Sequence, residues 1–225
     1  MGSRRPKEGQ TLKSGARKLC LAACALLAPA LLSGCAVRNC LTIDGKGDLS
    51  AMPPGPCAVL SVTARPMPTA KAVQFIWGSV HTVNADARFA ELLAHAARED
   101  AGIKVLLPFE ADQRLQEAKL KPTLQPTAED LRKYIQALGC ASYLTADVRT
   151  WHFGYAYFVS YAQIEYSVAC HRADNDRTIW EATVKRQARG MSDRDVARLA
   201  LSETFRWFKE GKSSVPPCPP TEPSG

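Results

Sequence analysis

The chain reads as an α/β sandwich: one mixed sheet of about five strands, with helices mainly on one face. Three observations predict this. In the first half, short apolar runs alternate with stretches whose apolar residues recur at helical spacing. In the second half, two long runs rich in β-branched and aromatic residues flank a short loop, and a third follows a turn. Between two Gly/Pro-rich stretches lie about 155 residues, enough for one domain with a single core.

The first 34 residues form a leader. Arg4, Arg5, Lys7, Lys13, Arg17 and Lys18 precede an apolar stretch from Leu19 to Leu32. That stretch falls short of the roughly 20 residues a membrane-spanning helix needs, and its basic start and small-residue end describe a secretory signal. Leu32-Ser33-Gly34-Cys35 resembles the lipobox of bacterial lipoproteins. The resemblance implies cleavage before Cys35, with acyl chains on its thiol and new amine. Ala36 follows, not the Asp that often marks inner-membrane retention, so the expected location is the periplasmic face of the outer membrane. The leader holds six of the 29 basic and one of the 22 acidic residues; 23 and 21 remain, a net charge of +2. Most of the basic character belongs to targeting, and nucleic-acid binding is not expected.

Residues 35–56 carry the lipidated Cys35 and then Gly45, Gly47, Pro53, Pro54, Gly55 and Pro56 without a clear period, which reads as a flexible tether. The domain spans 57–212. Cys57–Val62 is its first strand, stopped by Pro66 and Pro68. Asn84 stands where it can cap a helix with Phe89, Leu92, Leu93, Ala96 and Ala97 on one face. Gly102 ends that helix, and Ile103–Leu107 is a strand. A short helix covers about 112–120, and Pro126-Thr127 opens another with Leu131, Tyr134, Ile135 and Leu138 on one face and Gly139 as terminator.

Ser142–Trp151 and Tyr157–Cys170 are long strands joined by residues 152–156. A hairpin folded about Tyr155 places Leu144 opposite Tyr166, Ala146 opposite Ile164 and Val148 opposite Ala162, all on the core side. Thr145, Asp147, Arg149 and Trp151 then share the outer face. Asp174-Asn175-Asp176 is a turn, Arg177–Lys185 a strand, and Ser192 caps the last helix with Asp195 as its partner. The tail 213–225 is Pro-rich and expected to be extended or disordered.

Eight cysteines are encoded, and Cys40, Cys57, Cys140, Cys170 and Cys218 follow Cys35. The hairpin register puts Cys140 opposite Cys170, so either they form a disulfide or they are two reduced buried thiols. No cysteine pair has metal-ligand spacing, and His81, His95, His152 and His171 are scattered. Neither a metal nor another cofactor is expected, and no nucleophile–base pair or phosphate-binding loop stands out. Trp151, Phe153, Tyr155, Tyr157, Phe158 and Tyr161 crowd the hairpin tip. Either half of them pack inward, or they form an exposed patch for a protein partner or for self-association.

Leu138-Gly139-Cys140-Ala141-Ser142-Tyr143-Leu144-Thr145-Ala146-Asp147-Val148, and later Asp174 with Thr178-Ile179-Trp180, resemble sheet motifs of small periplasmic lipoproteins. These include the curli-secretion lipoprotein, the activator lipoproteins of penicillin-binding proteins and related lipoproteins of unassigned function. The likeness spans about 57–210 and implies an anticodon-binding-like or TolB-N-like domain. Ala146 stands where a glycine is usual, and a glycine before Ile179 is missing. Together these readings predict a non-enzymatic accessory or assembly subunit of an envelope export or cell-wall synthesis machine. It would be held to the membrane by lipid, with envelope protein partners or further copies of itself. A binder of a small molecule, glycan or peptidoglycan is the alternative.

Overall fold

The computed structural model describes residues 39–65, 77–81, 84–156 and 159–219, with 77–81, 155, 156 and 159 given by their backbone. The leader, Cys35 and Tyr157 lie outside the described residues. In chain order the elements are β1 (Cys40–Gly47), β2 (Cys57–Ala64), β3 (Trp77–His81), α1 (Ala85–Glu99), β4 (Val105–Leu106), α2 (Pro108–Glu117), α3 (Ala128–Leu138), β5 (Ser142–Ala156), β6 (Val159–Arg172), β7 (Thr178–Arg189) and α4 (Asp193–Glu210). They build one mixed sheet in the order β1-β7-β6-β5-β2-β4, and β3 pairs the outer part of β5 where β2 has ended. The α/β class and the mixed sheet are those predicted.

The two additional strands come from segments that carry weak patterns. β1 lies inside the expected tether, its Cys40 and Leu41 buried and all eight residues paired with β7. Its glycines misled because they answer to packing, not to flexibility. A Cβ on Gly45 would stand 2.6 Å from Cζ3 of Trp207, and Gly47 has φ +93 where a Cβ would meet the Ile179 carbonyl oxygen at 2.2 Å. β3 sits beside Pro-rich sequence and pairs residue for residue with His152–Ala156.

One face of the sheet is covered by α1 and α4. Phe89 of α1 packs on Tyr166 and, edge-on, on Trp151, and Trp180 receives Phe205 and Phe208 of α4. Leu93, Leu144, Ile164, Val184 and Leu201 complete this core. α2 and α3 cover a smaller area on the other side, where Leu106, Leu115, Tyr134 and Leu138 close over Ala58, Leu60 and Tyr143. β2 is therefore buried on both faces, which suits its near-continuous apolar run. At the helix starts, Thr127 accepts from the Asp130 amide while Asp130 bonds back, and Ser192 accepts from the Asp195 amide. Asn84 occupies the cap position of α1 but is left-handed, and its side chain makes no capping bond. Gly139 ends α3 at φ +60 as expected.

The β5–β6 hairpin is correct in pairing but slides by four residues. Leu144 faces Cys170, Ala146 faces Val168 and Val148 faces Tyr166. The strands run farther out before turning, to Ala156 and Val159. Four is an even step, so all six residues keep the core side they were expected to occupy. A bulge at Arg149 then breaks the alternation. Thr145, Asp147 and Arg149 lie on the open face, but Trp151 crosses to the core, buried and donating from Nε1 to the Asp193 carbonyl at 2.8 Å.

Candidate functional site

A disulfide between Cys40 and Cys218 is the most consequential departure from the expected arrangement. Of the two alternatives for Cys140 and Cys170, a bridge or two reduced buried thiols, the structure has the second; Cys57, Cys140 and Cys170 are free and buried. Cys140 and Cys170 cannot meet, because Cys140 packs in the cluster under α2 and α3, whereas Cys170 faces the core under α1 and α4. Burial pushes the Cys140 thiol up to about 12. Its hydrogen bond with Cys57, together with burial, also holds Cys170 well above the ordinary thiol range. These groups are protonated at neutral pH and lack thiolate character.

The disulfide fastens the Pro-rich tail to the first strand. From Ser213 to Cys218 the chain runs back along β1, the Leu41 amide donating to the Pro216 carbonyl and the Cys218 amide to Thr42 Oγ1. Glu203 of α4 anchors its start, accepting from Ser214 Oγ (2.9 Å), Ser213 Oγ (3.2 Å), the Ser214 amide (3.3 Å) and Arg206 Nη1 (2.7 Å). Burial works to raise this carboxyl, but the Ser214 hydroxyl and amide, Arg206 and Ser213 outweigh it and leave it below its ordinary range.

The aromatic residues divide. Trp151 is a core residue. Phe153 packs partly against the core, and Tyr161 is half-buried and meets His152 edge-on at 5.8 Å. For Tyr155 only the backbone position, opposite Gly78 and Ser160, is described, and Tyr157 lies outside the described residues. The hairpin is thus a three-stranded arm formed with β3, and Trp151 at its base is seated under Arg88.

The open face of the sheet carries a shallow polar groove of about 520 Å³. Asp147 accepts from Thr63 Oγ1 at 3.0 Å and lies 3.6 Å from Arg149, which also donates to Ser167 Oγ. Ser167 continues to Thr183, and Lys46 faces Glu181 at 4.0 Å. A second, smaller cavity of about 270 Å³ lies between α1, α2, α3 and β2, lined by Val59, Ala90, Leu115, Leu124 and Tyr134 with Asp112 at its rim, whose carboxyl burial raises. Among the described residues no His, Cys, Asp and Glu side chains gather as a metal-binding group. No described helix is long and apolar enough to cross a membrane. His95 pairs with Glu99 on the outside of α1, and His171 stacks on Tyr143.

Sequence reasoning missed the clasp. Its only signal was that Cys40 and Cys218 each sit beside glycine- or proline-containing segments at opposite ends of the domain, and spacing alone does not pair cysteines.

No known family and no curated protein matches the chain. Among solved structures, PelC from Paraburkholderia phytofirmans, a dodecamer, is similar with a TM-score of 0.50 at 14% identity, covering 75% of this chain and 96% of its own. Lipoprotein GNA1162 from Neisseria meningitidis gives 0.44 at 13% identity, covering 69% and 99%. The LpoB C-terminal domain from Salmonella enterica gives 0.37 at 12%, covering 61% and 82%. The PelC likeness shows a shared fold.

Proposed function

We propose that this chain is an outer-membrane lipoprotein whose periplasmic domain serves, without catalysis, as an accessory or assembly subunit of an envelope machine for export or cell-wall synthesis. One observation carries the reading: the Cys40–Cys218 clasp begins five residues after the lipobox-like Leu32-Ser33-Gly34-Cys35. A disulfide that ties the first strand to the tail belongs to an oxidising compartment, where the leader would deliver the chain. The carboxylates of the open sheet face are engaged by cations and hydroxyls instead of standing as an acid–base pair. PelC, whose fold this chain shares, assembles as a dodecamer; self-assembly of this kind is one form that the role can take.

The test is labelling with radioactive palmitate, followed by membrane fractionation and affinity capture of the tagged protein from solubilised outer membranes. Label lost on Cys35→Ser, outer-membrane recovery and stoichiometric co-purification of an envelope protein or of further copies are expected. Unlabelled wild-type protein would remove the anchor; a labelled protein recovered alone and monomeric would remove the subunit role.

The groove of about 520 Å³ favours a second reading, a glycan binder, because its hydroxyls and paired charges match a hydroxyl-rich ligand. Calorimetric titration with soluble peptidoglycan fragments, compared between wild type and Thr145→Val, separates the two.

A further inference from the structure

We infer that the β3–β5–β6 arm lies against the membrane surface, so that the domain is held flush with the bilayer rather than on a tether. The inference rests on Cys35 being the lipidated residue and deepens that reading. A single row crosses the sheet: Cys40 pairs Gln187, Gln187 pairs Gln163, Gln163 pairs His152, and His152 pairs His81. β1 starts on this row, so the chain leading back to Cys35 leaves the sheet at the base of the arm. Asn39 is fixed there, its Oδ1 accepting from the Arg189 amide at 2.8 Å. Cys218 is bonded to Cys40, so the clasp pins the same corner.

Only the segment from Cys35 to Asn39 remains as a leash, and four residues span at most about 14 Å when fully extended. From His152 the arm continues to Ala156, a reach of about 13 Å at the usual rise of a strand. The two lengths match. With the lipid in the bilayer and the strands standing across its surface, as the inference has them, the outer end of the arm reaches the membrane surface even when the leash is stretched.

The composition of the arm suits that position. Between Arg149 and Glu165 there is no Asp, Glu, Lys or Arg, and none between Lys71 and Asp86, in a chain that is 23% charged. Trp77 holds the position opposite Ala156, and Tyr161 the position opposite Gly154. Tryptophan and tyrosine are the residues that favour the boundary between headgroups and acyl chains. The charged groups of the open sheet face, Lys46, Asp147, Arg149 and Glu181, lie behind the row, and Arg189, opposite Tyr161, flanks the arm on its β7 side.

The experiment uses lipidated full-length protein reconstituted in phosphatidylethanolamine/phosphatidylglycerol vesicles, made with either plain or dibrominated acyl chains. Tryptophan emission is compared for wild type, Trp77→Phe and Trp207→Phe, and the mass of the N-terminal peptide is read on the same samples. The expected result is quenching of wild-type emission by brominated lipid, removed by Trp77→Phe and retained in Trp207→Phe. Trp207 packs at Gly45, farther up β1, and serves as the distant reporter. Equal emission in both vesicle types would overturn the inference while a lipidated N-terminal mass left the anchor standing; a protein partner covering the arm would give this result. An unmodified Cys35 would remove the anchor and the inference together. A far-ultraviolet circular dichroism spectrum and melting temperature in plain vesicles that match wild type show that each variant is folded.

Discussion

The two edges of the sheet are protected in different ways. At one edge, β1 is a full-length strand whose outer side would be open to pairing with other chains. It is covered by the tail, and the cover is fastened by the Cys40–Cys218 disulfide and by Glu203. At the other edge, β4 is two residues long, and the part of β2 it leaves bare receives the Leu124 carbonyl at the Val62 amide. α2 and α3 then bury that side with Leu115, Tyr134 and Leu138, and the Tyr134 hydroxyl donates to the Lys121 carbonyl. One edge is held covalently and by a polar knot; the other is held by apolar burial. The first should respond to redox conditions and carboxylate chemistry, and the second should ignore both.

The largest expected effect is at the clasp. Cross-linking residues separated by 178 positions is worth about 5 kcal/mol in the chain-entropy limit, and native disulfides commonly give about 2–5. Cys218→Ser, or reductant added to the wild type, should lower the melting temperature by the corresponding amount, and reductant should leave the variant unchanged. Equal melting of oxidised and reduced wild type would mean that the tail adds nothing to the β1 edge.

Truncating the apolar edge should cost somewhat less. Leu138→Ala is expected to destabilise by about 2–4 kcal/mol, measured by urea unfolding, with the same loss in oxidising and reducing buffer. Combined with Cys218→Ser, the two losses should add to within about 0.5 kcal/mol, because the sites share no partners. A larger departure from additivity would break the distinction between the edges.

Glu203→Gln should cost about 1–3 kcal/mol by leaving the Ser214 and Ser213 donors poorly matched. Its sharper signature is local: hydrogen exchange at the Leu41 amide should speed up while exchange at Val62 stays slow. The Glu203 carboxyl titrates below its ordinary value in the folded chain, so its contribution is present above the unfolded pKa and disappears as pH falls through the folded one.

The smallest effect belongs to His171, which stacks on Tyr143 and is placed between Thr145 and Thr178. Burial holds its pKa below the ordinary 6.5. The folded chain favours the neutral ring, and the unfolded chain takes up the proton first. Stability should be complete above about pH 6.5 and decline as pH falls toward the folded pKa. His171→Gln should flatten that decline; an unaltered pH profile would assign it to other groups.

How much of this was legible in the sequence depended on whether a residue's signal was local. α1, α3, α4 and the β5–β6–β7 meander follow from periodicity and turn residues, and their side-chain faces were correct because strand alternation tolerates an even slip in register. Trp151 was misplaced because the bulge at Arg149 flips the alternation, and nothing in the adjacent residues announces it. Gly45 and Gly47 looked like tether because only Trp207 and Ile179, far along the chain, show why side chains are excluded there. The Cys40–Cys218 pairing is of the same kind: two distant residues that meet only once the sheet has brought them together.

The clasp also orders events in time. During synthesis β1 emerges early, but β7, with which it pairs, comes after most of the domain, and Cys218 comes 178 residues after Cys40. Cys57, Cys140 and Cys170 are all made in that interval, and each is a competing partner for Cys40. They stop competing when the core closes over them, because a buried thiol is not reached by another cysteine. The correct bond is therefore selected by sequence of burial: the interior must set before its first strand can be locked.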